Sequence, residues 1–124
     1  MTADSPVPRF VARLAERLVR ACDPDEVLLF GSYAKGTAGR ASDVDFLVVL
    51  RRPPSVALEH AAAGCTRGAV PVDTLLLARE ELVALARDEY GFIGGAIRSA
   101  QPLYVRPGTK SVLNEVIRVR SVID

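Results

Sequence analysis

Apolar residues recur along the chain at two spacings, and the change of spacing separates helices from strands. Near the N-terminus Phe10, Leu14 and Leu18 follow one another at helical intervals, with arginines between them. Ser5-Pro6 is typical of a helix start, and Asp23-Pro24 of a helix end. Short apolar runs bounded by Gly, Pro or Asp then predict strands at 26–30, 43–50, 70–78 and 102–105.

Helices are predicted between these strands. They comprise a short helix at 33–35 capped by Ser32, a helix opening at Ser55, one from Arg79, and a stretch at 90–99 that its glycines weaken. Helices and strands alternate, which favours one α/β domain over residues 1–108. The tail, 109–124, carries a loose helical stripe of Val112, Val116, Val119 and Ile123. The sequence leaves open whether this stripe packs in the core, docks a partner or frays.

Composition is that of an ordinary globular protein. The 124 residues are 49% apolar and 25% charged, and the net charge is +1, so no global field draws the protein to nucleic acid. We expect no signal peptide and no membrane span, and hence a cytoplasmic protein. Cys22, Cys65 and His60 lack the spacing of a zinc site, which favours two thiols in a reducing compartment.

Two carboxylates open the second predicted strand. Asp43 and Asp45 are two residues apart, so their side chains leave the strand from the same face. Neighbouring carboxylates repel each other unless a cation lies between them, and Mg²⁺ prefers hard oxygen ligands together with substrate phosphates. An Asp-x-Asp pair alone is more often a solvated strand end.

A Gly-Ser pair ends the first predicted strand. Gly31 lets a phosphate approach the backbone, and a helix starting at Ser32 offers N–H groups and a hydroxyl to an anion. Gly-Ser alone is usually a turn. The joint spacing is more specific: Gly31-Ser32, ten residues from Tyr33 to Ser42, then Asp43-Val44-Asp45.

This signature resembles the nucleotidyltransferase superfamily typified by DNA polymerase beta. The surrounding words "FGSYAKG" and "SDVDFLVV" are most similar to the minimal nucleotidyltransferases, called MNT, over roughly residues 27–105. Such proteins are often antitoxins of HEPN-type partners. The resemblance implies a small mixed β-sheet flanked by helices.

The resemblance also implies a third carboxylate on a neighbouring strand. Asp73, in "VPVDTLLLA", is the candidate, as a metal ligand and as the group near the attacking hydroxyl. Asp43, Asp45 and Asp73 would then hold two Mg²⁺ ions with ATP as substrate. Lys35 and Arg40, in the connector between Ser32 and Asp43, are candidate phosphate ligands. Lys35 replaces an arginine frequent in the family, and a surface role is an equal alternative.

The function implied is Mg-dependent transfer of AMP from ATP to a hydroxyl on a HEPN-type partner protein. A small-molecule nucleotidyltransferase is an alternative, although the chain has little room for an acceptor domain. A second alternative is a nucleotide-binding module that silences its partner by binding alone. A polymerase role is disfavoured because no basic patch is visible. The sequence does not decide whether the protein forms a homo-oligomer.

Overall fold

The computed structural model describes residues 7–116. Its elements in chain order are α1 (Arg9–Cys22), β1 (Glu26–Phe30), α2 (Ser32–Lys35), β2 (Val44–Leu50), α3 (Val56–Cys65), β3 (Val72–Ala78), α4 (Arg79–Ala86), α5 (Phe92–Ser99) and β4 (Gln101–Val105). The predicted N-cap at Ser5 lies outside the described residues. Within residues 7–116, no helix is both long and apolar enough to cross a membrane.

The strands form one mixed sheet in the order β3-β2-β1-β4. β1 pairs antiparallel with both β2 and β4, whereas β2 and β3 are parallel. Helix α3 provides the crossover that a parallel pair requires. The expected small mixed sheet flanked by helices is therefore confirmed.

Alternation along β2 divides the core into two layers. Val44, Phe46 and Val48 pack with α1 and α3 on one face of the sheet. Leu47 and Val49 pack with α4 and α5 on the other face. Side chains at odd-numbered positions of β2, including Asp45, therefore share a face with α4 and α5.

The ends of two helices follow from local chemistry. Asp23 ends α1 in the left-handed conformation (φ 47°), as expected of the Asp-Pro pair. Ser55 caps α3, its Oγ accepting the Leu58 N–H at 3.1 Å.

Helix α5 is separate from α4, and its glycines have a packing reason. A Cβ at Gly94 would overlap the backbone of Asp88 and Glu89. Only glycine therefore lets α5 pack this closely against the turn that follows α4. Gly94, one of the glycines that weaken the helix prediction, is thus the residue that allows this position.

The beginning of the C-terminal tail belongs to the core. Val112 and Val116, within a helical stretch at 112–116, are buried against the α4/α5 face. Buried Glu26 accepts hydrogen bonds from Ser111 Oγ at 2.5 Å and from the Val112 N–H at 2.7 Å. A docking stripe that includes Val112 and Val116 is therefore wrong, because these two side chains are already covered. Val119 and Ile123 lie outside the described residues.

Candidate active site

Parallel pairing brings two carboxylates into register at one end of the sheet. Asp45 of β2 lies directly opposite Asp73 of β3. Asp43 comes just before β2 and shares the face of Asp45. The structure thus gathers the three predicted acidic residues at the same end of two adjacent strands, on the α4/α5 face.

Asp45 is the most constrained of the three. Its side chain is half-buried, whereas Asp43 and Asp73 are exposed. Burial raises the pKa of Asp45, and the negative charges of Asp73 and then Asp43 raise it further. A bound cation would offset the repulsion among these carboxylates and favour the charged form of Asp45.

The donor set fits Mg²⁺, since all three groups supply hard carboxylate oxygens. Within residues 7–116, however, no three acidic, His or Cys side chains converge closely enough to hold one ion. The exposed carboxylates of Asp43 and Asp73 would have to turn toward Asp45 to share it. Asp43, Asp45 and Asp73 are the residues that could hold the metal.

Gly31 lies against this acidic group. Its neighbour Phe30 pairs with Asp45, and a Cβ on Gly31 would collide with Asp45 Oδ2. Its backbone (φ 75°, ψ −157°) lies in a region that essentially only glycine populates. Glycine is therefore required here by the carboxylate and by the backbone, before any phosphate is considered.

The helix that follows differs from the prediction in its cap. Gly31, not Ser32, is the N-cap of α2, and the Ser32 side chain makes no capping hydrogen bond. Ser32 instead occupies the first helical turn, where N–H groups lack intrahelical acceptors. The Ser32 hydroxyl is thus not committed to capping, and it lies beside Gly31.

The connector to β2 is a tight turn. Gly36 ends α2 in the left-handed conformation (φ 78°). Ser42 Oγ accepts the Gly39 N–H at 2.8 Å, and the Ser42 N–H donates to the Gly39 carbonyl at 3.1 Å. These bonds turn the chain into β2 immediately before Asp43.

A cleft of about 710 Å³ opens beside Gly31, between α2 and α5. Its lining includes the cationic residues Lys35 from α2 and Arg98 from α5, together with the aromatic residues Phe30, Tyr90 and Phe92. We call it the cationic cleft. Arg40 is exposed in the connector and does not line this cleft.

Arg98 is absent from the sequence prediction. It is one of fourteen arginines in the chain, and no motif marks it. Its guanidinium donates to the Glu89 carbonyl at 3.2 Å, which holds it near the turn that leads into α5. Only the packing of α5 beside β1 brings it to the Gly31 side of the sheet.

Comparison with known proteins identifies the family and a shared fold. The sequence profile described as "Nucleotidyltransferase domain" matches residues 10–105. No curated protein gives a significant match. Solved structures that resemble the chain include a toxin–antitoxin with AMP-PNP (20% identity, TM-score 0.58) and a mutant of the toxin–antitoxin MntA-HpeT (19% identity, TM-score 0.60). Each alignment covers 90% of this chain and 88% of the other, and at such identity it shows a shared fold.

Proposed function

The chain belongs to the nucleotidyltransferase domain family, and we propose that it transfers AMP from ATP to a hydroxyl on a partner protein. The observation that carries this proposal is the Asp45–Asp73 register, with Gly31 against Asp45 at the edge of a cationic cleft. Carboxylates beside a cationic, glycine-edged cleft suit a substrate that is a metal-bound polyphosphate.

Each residue has a role in this proposal. Lys35 and Arg98 attract the triphosphate, and the backbone at Gly31-Ser32 donates to it. Mg²⁺, bound as two ions by Asp43, Asp45 and Asp73, would neutralise the triphosphate and the departing pyrophosphate. Arg40 is exposed and outside the cleft, so any contact it makes requires the connector to move.

The reaction is an in-line displacement at phosphorus. The acceptor oxygen forms a bond to the α-phosphorus, and the bond from that phosphorus to the bridging oxygen breaks, releasing pyrophosphate. Asp73 lies exposed on the edge strand β3, where an acceptor can reach it, and it takes the proton of the hydroxyl.

The partner we propose is a HEPN-type toxin in the cytoplasm, which this protein would neutralise as an antitoxin. Both structural neighbours are toxin–antitoxin proteins, and one contains the ATP analogue AMP-PNP. These neighbours support a toxin as partner and ATP as substrate, and the HEPN type of the toxin is what the sequence resemblance implies.

A binding-only function has one observation in its favour. In the part of the chain that the structure describes, the carboxylates do not converge as a ready metal site. A protein that binds nucleotide and partner without transfer would need no such convergence.

The deciding experiment is incubation with labelled ATP, Mg²⁺ and a candidate HEPN-type partner, followed by mass spectrometry. We expect AMP additions on a partner hydroxyl, with tyrosine tested first. Asp73→Asn should abolish them, and Glu59→Gln, an exposed carboxylate on the opposite helix α3, should not. If wild type and Asp73→Asn silence an unmodified partner equally well, the binding-only function is correct.

A further inference from the structure

A second cleft, of about 440 Å³, adjoins the cationic cleft at Gly91 and Phe92, which line both. It is lined by Leu75, Leu77, Ala84, Leu85, Asp88, Gly91, Phe92 and Ile93. We call it the apolar cleft. Phe92 lines both clefts and packs edge-on against Phe30, with ring centroids 5.9 Å apart. The ring of Phe92 is thus held by Phe30 where the two clefts meet.

The apolar cleft lies close to Asp73. Leu75 is two residues beyond Asp73 on β3, so both side chains leave the strand from the same face, about 6.6 Å apart along it. β3 is an edge strand of the described sheet, so the cleft is reached from the side of the molecule. The two clefts therefore flank the carboxylates, one beside Gly31 and one beside Asp73.

The two clefts differ in charge. Among the described residues that line the apolar cleft, the single charged one is Asp88, whereas Lys35 and Arg98 line the other. Near the lining, Glu81 is exposed one turn before Leu85 on α4, and Arg87 is exposed next to Asp88, so their charges offset each other. The described lining of the apolar cleft thus offers one carboxylate and no cation, which suits a basic side chain better than a triphosphate or a nucleic-acid backbone.

The apolar lining is open to solvent. Phe92 is 68% and Leu85 46% exposed, and both belong to the small set of large apolar side chains exposed on the described surface. Exposed apolar residues that meet in a concave site mark a binding surface more often than scattered ones do.

We propose that the apolar cleft docks the acceptor, a protein segment that inserts a bulky apolar side chain and carries a basic residue beside Asp88. Docking there would place a neighbouring hydroxyl at Asp73, opposite the nucleotide. The inference rests on the proposed function for the chemistry at that hydroxyl, while docking itself can be measured without any transfer.

The test is a peptide array probed with fluorescently labelled protein. Each peptide has a central tyrosine or serine with varied flanking residues, and binding is measured first without nucleotide. We expect bound peptides to be enriched in Leu, Ile or Phe at one position and in Lys or Arg near it. Leu85→Ser should reduce that binding at least fivefold, and Asp88→Asn, which keeps Oδ1 as acceptor for the Tyr90 N–H, should remove only the basic preference.

Val56→Ser is the matched control, since Val56 is an exposed apolar side chain (72%) on α3, at the other face of the sheet. It should bind the array as wild type does, and thermal melting should show all variants folded. No peptide binding, binding without apolar enrichment, binding unchanged in Leu85→Ser, or preferential binding of an RNA oligonucleotide would each overturn the inference.

Addition of Mg²⁺ and ATP to the same array separates the two proposals. AMP transfer to the bound peptides supports both. Selective binding that is lost in Leu85→Ser, with no transfer to any bound peptide, supports the docking site and contradicts transfer to such a segment. Transfer with no flanking preference supports the proposed function and overturns the docking site.

Discussion

Gly31 leaves the space that the carboxylate of Asp45 occupies. Gly31 directly follows β1 and Asp45 lies in β2, and the pairing of Phe30 with Asp45 means that a Cβ at position 31 would overlap the Asp45 side chain. The glycine thus sets the position of a carboxylate, in addition to any contact with phosphate. The Gly-Ser and Asp-x-Asp halves of the signature are thereby joined by a direct steric constraint.

Substitution of Gly31 should therefore damage the site more than substitution of Gly36. Gly31→Ala places a residue in a glycine-only conformation, costing about 1–3 kcal/mol, and also displaces Asp45. Gly36→Ala meets no atom within 4 Å and should cost about 1–2 kcal/mol for its left-handed backbone. We expect Gly31→Ala to lose AMP transfer and Gly36→Ala to retain it at temperatures where both are folded. Equal activity of the two variants would contradict the constraint.

Much of the fold follows from local pattern. The predicted strand at 26–30 coincides with β1, and Ser55 caps α3 as expected, because both depend on neighbours in sequence. β2 begins at Val44 and β3 at Val72, slightly later than predicted. The predicted cap at Ser32 was wrong because Gly31, in a backbone conformation that favours glycine, is the N-cap of α2 and Ser32 is its first helical residue.

The positions of the carboxylates could be predicted from their spacing in the sequence, but the clefts beside them could not be. Asp43 and Asp45 share a face by strand geometry alone. Arg98 and Phe92 join the site only because α5 packs over β1, which depends on Gly94 and on contacts distant in sequence. The burial of Val112 likewise depends on Glu26, 86 residues earlier in the chain.

Metal should stabilise the wild-type protein through its carboxylates. Because Asp45 lies beside two like charges, Mg²⁺ that binds only the folded state should raise the free energy of unfolding by about 2.7 kcal/mol at a hundred times Kd. The melting temperature should rise accordingly. Asp43→Asn with Asp45→Asn should remove this response, and calorimetry should show Mg-ATP binding lost. Glu59→Gln serves as a carboxylate control on α3. An unchanged Mg²⁺ response in the folded double variant would exclude this metal site.

Arg98 should contribute to nucleotide affinity. Arg98→Gln removes one of the cations that line the cationic cleft, and a charge-assisted hydrogen bond is worth about 1.5–3 kcal/mol. We expect ATP affinity to fall about tenfold or more, with a smaller effect of Lys35→Gln because a lysine binds phosphate at a single point. Arg52→Gln, at an exposed arginine on the loop after β2, is the control. Isothermal titration would refute the role if Arg98→Gln and Arg52→Gln bind ATP alike.

Glu26 should make stability fall as pH rises. Burial raises the pKa of Glu26, although the Ser111 and Val112 hydrogen bonds and Arg79 lower it in part. With the folded pKa above the unfolded value, its contribution is fully present below the unfolded pKa and is lost as pH rises through the folded one. Urea unfolding from about pH 4 upward should therefore show wild type losing stability relative to Glu26→Gln. Ser111→Ala, which removes a bond that lowers this pKa, should steepen the loss. A wild-type curve parallel to that of Glu26→Gln would show that Glu26 does not control this pH dependence.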